Sequence, residues 1–169
     1  KEFGRKMPLR ILLAEDNPTN RKLALTILDR LGYQADYAEN GKIAIEKHRT
    51  RHYDLILMDL HMPVMDGLEA TKEIRRIFPK PLQPQIVALT ANAMKEDRDI
   101  CINAGMNEYI SKPFGASDLI DVIRQVAGDK APKVTMVKPK IKKTQEKKVE
   151  STMKMSSKPN VEHFDLLED

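Results

Sequence analysis

A few side chains in this sequence could do chemistry together: the acids Glu15, Asp16 and Asp59, the hydroxyl of Thr90 and the amine of Lys112. Each stands just past an apolar or β-prone run: LRILLA before Glu15, LILM before Asp59, IVAL before Thr90, and EYIS before Lys112. One polar residue where a strand meets water is ordinary. Complementary chemistry at the ends of four strands is not, because parallel strands deliver all their C-terminal ends to one edge. Three carboxylates gathered there would repel one another, by roughly 4 kcal/mol per pair at about 4 Å and an effective dielectric near 20. They therefore require a cation or raised pKa values. Hard oxygen donors without soft ones point to Mg²⁺, which keeps several waters and is often completed by phosphate. Lys112 supplies a point charge for an anion, and Thr90 supplies a hydroxyl donor. A carboxylate nucleophile, Asp59, held among a metal, an ammonium and a hydroxyl is suited to forming an aspartyl phosphate.

The elements that must position these residues are legible along the chain. Leu9 to Ala14 reads as a first strand, and Asn17-Pro18 as the N-cap and first residue of a helix that Gly32 closes. Residues 34–38 form a short, weak strand. Asn40-Gly41 then opens a helix with Ala44, Ile45 and His48 on one face. The run Leu55 to Met58 suits a strand buried on both faces and ends at Asp59. A third helix follows over residues 67–77, marked by Gly67, Ala70, Ile74 and Ile77 and closed by Phe78-Pro79. The prolines at 79, 81 and 84 exclude its continuation. Ile86 to Leu89 is a fourth strand, 93–104 a polar fourth helix followed by Gly105, 108–110 a fifth strand, and 117–126 an amphipathic fifth helix. Five strand–helix units in about 120 residues predict an α/β domain with a parallel sheet covered on both faces.

Composition bounds the alternatives. The chain has 169 residues and a net charge of +4, but the excess sits at its ends: residues 1–6 carry +2, residues 129–169 carry +3, and 7–128 carry −1. A nucleic-acid role would therefore rest on a tail and not on the folded surface, for which no nucleic-acid contact is expected. No apolar run approaches the roughly 20 residues that span a bilayer, so no membrane contact is expected of this fragment. The beginning, KEFGRKMPLR, lacks the apolar core of a secretory signal. Cys101 is the single cysteine, which excludes an internal disulfide and fits a reducing compartment. The expected organisation is an N-terminal extension over 1–7 (native or a cloning remnant), a domain over 8–128 and a Lys-rich, disordered tail over 129–169. The acidic end, residues 161–169, reads as a solvated terminus or a docking peptide. His48 and His52 read as surface or half-buried helix residues, Cys101 as an inert thiol, and Met62, Met65, Met94 and Met106 as packing and loop fillers. No GxxxxGK[ST] loop is present.

Together these motifs resemble the response-regulator receiver family, whose CheY-like members are flavodoxin-like (βα)5 folds with five parallel strands in the order 2-1-3-4-5. The resemblance covers Leu9 to Ala127 and rests on Glu15-Asp16, Asp59 in MDLHMPVMDG, Thr90-Ala91 and Lys112-Pro113. The phrases LLAEDNPTNRKLA, LTANAM and NEYISKPF are most similar to the C-terminal receivers of hybrid sensor histidine kinases. It implies that Asp59 is the phosphoacceptor. Mg²⁺ would be bound by Asp16, Asp59 and the backbone carbonyl of His61, with Glu15 acting through water. Lys112 and Thr90 would hold the phosphoryl oxygens, and Lys112-Pro113 would be cis. Thr90 and Tyr109 would form the switch, and His61 and Asn92 would tune phosphate lifetime. The implied donor is a histidine kinase or a histidine-containing phosphotransfer protein. The implied output face is the fourth helix, fifth strand and fifth helix, which also admits a weak dimer. Such a domain promotes its own phosphorylation and dephosphorylation without being a turnover enzyme. The implied location is cytoplasmic, with a parent protein that is a hybrid kinase and is either soluble or membrane-anchored. Two other classes stay open on the residues alone: a phosphorylation-independent interaction module, and a flavodoxin-like small-molecule binder or phosphatase.

Overall fold

A computed structural model describes residues 1–92 and 94–128. Its elements alternate: β1 Ile11–Ala14, α1 Pro18–Leu31, β2 Asp36–Ala38, α2 Gly41–Arg51, β3 Leu55–Asp59, α3 Gly67–Ile77, β4 Gln85–Thr90, α4 Lys95–Ala104, β5 Glu108–Ser111 and α5 Ala116–Ala127. The five strands form one sheet in the order β2-β1-β3-β4-β5, every neighbouring pair parallel. This is the flavodoxin-like arrangement expected from the sequence. The statements about 129–169, including the disordered tail and the docking peptide, lie outside the described residues.

The sheet is buried on both faces because its apolar residues alternate between two cores. Leu12, Ala14, Ile56, Met58, Ile86 and Ala88 face one cluster with Ala44 and Ile45 of α2, Ala70 and Ile74 of α3, and Cys101 of α4. Ile11, Leu13, Leu55, Leu57, Val87 and Leu89 face the other with Ala24 and Leu28 of α1 and Leu119, Val122 and Ile123 of α5. All four residues before Asp59, Leu55 to Met58, are completely buried. Each such side chain stabilises the fold by about 1.5–3 kcal/mol, so β3 is anchored along its whole length.

The helix signals act as the residue types demand. The Asn17 side chain accepts from the N–H groups of Thr19 and Asn20 at 2.9 and 3.0 Å, with Pro18 at the first helical position. Gly32 ends α1 at φ 104°, where a side chain would be strained. Asn40 caps α2 through Ile43 N–H at 2.9 Å. Asp66 caps α3 through Glu69 N–H at 2.8 Å, a role the sequence reading missed. The prolines after α3 do end it, although they still permit a 3₁₀ turn over Lys80–Leu82.

One expectation needs correction, and the first residues add a detail. His48 is fully buried, not at the surface or half-exposed. Its Nδ1 accepts from Tyr53 N–H at 3.0 Å and its Nε2 meets the Leu82 carbonyl at 2.7 Å, so both ring nitrogens are satisfied inside the core. The first residues, read as an extension, carry a helix over Glu2–Lys6. Phe3 packs edge-on against Tyr33 at 6.3 Å, and the Tyr33 hydroxyl donates to the Met7 carbonyl at 2.6 Å. Among the described residues no helix is long and apolar enough to cross a membrane.

Candidate functional site

The C-terminal ends of β1, β3, β4 and β5 converge on one edge. Glu15, just past β1, is tied by its N–H to the Ala38 carbonyl at 3.0 Å and is buried, whereas Asp16 is exposed. Asp59 ends β3 paired with Leu89 of β4 and is 7% exposed. Behind it, Gly67 opens α3 so closely that a Cβ there would lie 2.2 Å from the Asp59 carbonyl oxygen. Only a residue without a side chain permits that approach. The Lys112 N–H donates to the Thr90 carbonyl at 2.7 Å, holding the end of β5 against the end of β4. The Lys112-Pro113 peptide is cis, as expected.

The side chains meet as the strand ends imply. One carboxylate oxygen from each of Glu15, Asp16 and Asp59 lies within 4.8 Å of the others. The Lys112 ammonium reaches across, 3.4 Å from Glu15 Oε1 and 3.4 Å from Asp59 Oδ1. At that distance each attraction is worth about 5 kcal/mol at an effective dielectric near 20, before the cost of desolvation. One ammonium cannot balance three carboxylates. Burial, then the hydrogen bond and repulsion from Asp59, push the Glu15 carboxyl up to about 7, while Asn20 and Lys112 pull the other way. The set consists of hard oxygens with an uncompensated negative charge, which suits a small divalent cation.

Other predicted residues sit at the rim. The Thr90 hydroxyl is buried but turned to the next turn of chain, donating to the Asn92 carbonyl at 2.9 Å and accepting from Asn92 N–H at 3.1 Å. Its hydrogen bonds do not go to Asp59. His61 is exposed, its N–H 3.5 Å from Asp59 Oδ1. Tyr109 is half-buried on β5, with the Arg98 guanidinium of α4 over its ring at 5.5 Å. Two supporting residues escaped the sequence reading: Asn20, which holds the Glu15 carboxyl pKa down, and Arg21, whose guanidinium donates to the Glu15 carbonyl at 3.1 Å. Their signal was available, because both fall in the first turn of a helix that starts beside the acidic pair.

Comparison with known proteins is consistent with this geometry. A family model described as "Response regulator receiver domain" matches residues 11–124. Histidine protein kinase 1 of Candida albicans is 40% identical in an alignment of 133 residues that covers 73% of this chain and 5% of that protein. The chain thus spans a small part of the curated relative. The crystal structure of the receiver domain of sensor histidine kinase PA1611 from Pseudomonas aeruginosa PAO1, with a magnesium ion coordinated in the active-site cleft, is 41% identical. Its TM-score is 0.65 over 71% of this chain and 98% of that one. A co-crystal structure of the Saccharomyces cerevisiae histidine phosphotransfer protein Ypd1 with the receiver domain of Ssk1 gives 28% identity and a TM-score of 0.67, covering 75% of this chain and 94% of that one.

Proposed function

Because the chain belongs to the response-regulator receiver family, we propose that Asp59 accepts a phosphoryl group from a phosphohistidine. The observation that carries this is the meeting of Glu15, Asp16, Asp59 and Lys112 at one edge of the sheet, with Lys112 Nζ 3.4 Å from Asp59 Oδ1. An Asp59 carboxylate oxygen attacks phosphorus, the P–N bond of the donor breaks, and its electron pair leaves with the imidazole. The phosphoryl group passes intact, without oxidation or reduction. Lys112 stands where it can neutralise the anion that Asp59 gains.

The donor set fits Mg²⁺, which Asp16, Asp59 and the His61 carbonyl would hold, with Glu15 assisting through water. When bound, it neutralises charge on the transferring phosphoryl oxygens. Burial of Glu15 and Asp59, beside Lys112, keeps competing water out of the floor of the site. Thr90 holds the new phosphoryl group after giving up its bonds to Asn92, and Tyr109 follows it. The face of α4, β5 and α5 then changes and carries the signal, with a weak dimer through that face. His61 and Asn92, both exposed at the rim, set how easily water reaches the phosphate. The donor is a histidine kinase or a histidine-containing phosphotransfer protein in the cytoplasm, and residues 8–128 form the working unit. The intact acidic cluster weighs against a phosphorylation-independent interaction module.

The test is phosphoryl uptake from phosphoramidate, followed by intact-protein mass. Asp59→Asn is expected to abolish uptake while leaving the circular dichroism unchanged. Uptake at the same rate and with the same Mg²⁺ dependence would refute the assignment.

A further inference from the structure

β2 is the shortest strand and lies at the edge of the sheet, yet it grips the acidic pair from two sides. Its last residue, Ala38, accepts the Glu15 N–H at 3.0 Å. The Glu15 carbonyl, at the other end of the same residue, accepts from Arg21 Nη1 at 3.1 Å. Arg21 is half-buried, and among the described residues it makes no ion pair with an acid. Its guanidinium instead lies over the Tyr37 ring, 4.6 Å from the centroid. Tyr37 pairs with Leu13 in the sheet and shares its face, the one that α1 covers, so β2 presents the ring to the helix that carries Arg21. The ring is itself fixed from α2, because the Lys47 ammonium sits 5.1 Å from its centroid and donates to the Tyr37 carbonyl.

Asp16 has no such anchor of its own. Its carboxylate is exposed, and among the described residues no hydrogen bond or ion pair holds it. Its place therefore depends on the backbone. The Glu15 carbonyl belongs to the peptide that joins Glu15 to Asp16, and that unit is a rigid plane. A planar guanidinium can donate to the carbonyl along its edge while its face rests on an aromatic ring, which an ammonium cannot do. We infer that Arg21, seated on Tyr37, is a positioning residue that keeps Asp16 within metal-ligand reach of Asp59. This rests on the reading that Asp16 and Asp59 hold Mg²⁺. Groups that orient metal ligands without touching the metal contribute on the order of 10–100-fold in affinity. The direction of the effect separates this role from plain charge. Loss of a cation near carboxylates, acting through charge alone, would tighten Mg²⁺ binding. Loss of a brace weakens it.

The experiment measures the Mg²⁺ affinity of the full chain by calorimetry, and its uptake from phosphoramidate across a Mg²⁺ series. Arg21→Met is expected to weaken Mg²⁺ binding on the order of tenfold, and Arg21→Lys, which keeps the charge, by at least about threefold. Tyr37→Leu should weaken it about two- to fivefold, the share of a cation–π contact, and Tyr37→Phe should restore that loss because the ring stays. Tyr37 is 42% exposed, so its replacement leaves the core intact and keeps the test decisive if Arg21→Met fails to fold. Added to Arg21→Met, Tyr37→Leu should cost nothing more, since the two side chains act as one unit. In the uptake series the loss should appear as a higher Mg²⁺ requirement, with the rate recovered at saturating Mg²⁺. Unchanged or tighter Mg²⁺ binding by Arg21→Met, full affinity in Arg21→Lys, or additive losses in the double variant overturns the inference. Absence of Mg²⁺ binding by the unsubstituted chain overturns it too. Mg²⁺ binding without any uptake from phosphoramidate refutes the acceptor reading alone, and the calorimetric comparison still decides the inference.

Discussion

Replacing His48 with glutamine should remove up to about 2 kcal/mol of acid sensitivity from this fold. The ring is completely buried, and Tyr53 N–H already occupies Nδ1 at 3.0 Å while Nε2–H points at the Leu82 carbonyl, 2.7 Å away. A second proton has no acceptor inside the core. Burial is the main cause that holds the His48 pKa below its ordinary 6.5, the Leu82 bond opposes it, and the nearby His52 and Arg75 add to the lowering. The unfolded chain therefore binds the proton first. Stability is full above about pH 6.5, falls as pH drops below it, and stops falling only where the folded ring protonates at its lowered pKa. At about 1.4 kcal/mol per pH unit, the loss between pH 7.5 and 5.0 is at most about 2 kcal/mol. Glu15 acts with the opposite sign, because its carboxyl, raised to about 7, protonates first in the folded state, and Glu108 is raised by burial in the same sense. Both contributions are common to the two proteins and cancel in their difference. Urea unfolding of the unsubstituted chain and of His48→Gln, at pH 7.5 and 5.0, isolates the histidine. The variant should lose about 1 kcal/mol at pH 7.5, since the edge-on contact with the Phe78 ring at 4.7 Å goes with the imidazole. It should then lose less than the unsubstituted chain on acidification, by no more than about 2 kcal/mol. An identical pH dependence in the two proteins would refute the reasoning.

Two further perturbations probe the site's support. Gly67→Ala places a methyl group 2.2 Å from the Asp59 carbonyl oxygen, so backbone must move. A stability loss of about 1–3 kcal/mol and a clear slowing of uptake from phosphoramidate are expected, and a variant with an unchanged midpoint and rate would contradict the packing argument. Lys112→Ala removes the cation 3.4 Å from both Glu15 and Asp59, so Mg²⁺ should bind more tightly by calorimetry while the phosphorylation-induced change at Tyr109 is lost. Weaker Mg²⁺ binding, or a normal change at Tyr109, would count against the role given to Lys112.

The fold was legible where local chemistry and burial agree. The run Leu55 to Met58, the Asn17-Pro18 start and the Gly32 stop each mean one thing in sequence and do that thing in the structure. The fourth helix begins at Lys95, later than the sequence pattern suggests, because Met94 precedes it without a side-chain cap to sharpen the boundary. Strand order came from resemblance, since periodicity says which residues are buried and not which strands are neighbours. The meeting of Glu15, Asp16, Asp59 and Lys112 could be anticipated because parallel strands share an edge. Other features depend on tertiary contacts that no short window contains. His48 recurs at helical spacing with Ala44 and Ile45, but its burial depends on Tyr53 and Leu82 satisfying the ring. The N-terminal helix has little apolar content, and it docks because Gly4 and Gly32 let two backbones approach: a Cβ on Gly4 would lie 2.7 Å from the Gly32 carbonyl. The left-handed backbone of Val64 runs against its residue type, so propensity could only mislead there.

The central claim is that Asp59 is the residue that takes the phosphoryl group. It is tested most directly by exposing the full chain to phosphoramidate with Mg²⁺, reducing the product with borohydride and sequencing the peptides by mass spectrometry. Reduction of an aspartyl phosphate turns that aspartate into homoserine. The expected result is homoserine at position 59 alone, lost when EDTA removes the metal. Homoserine at Asp16 in place of position 59, or phosphate carried on a histidine or hydroxyl side chain and indifferent to EDTA, would contradict the account.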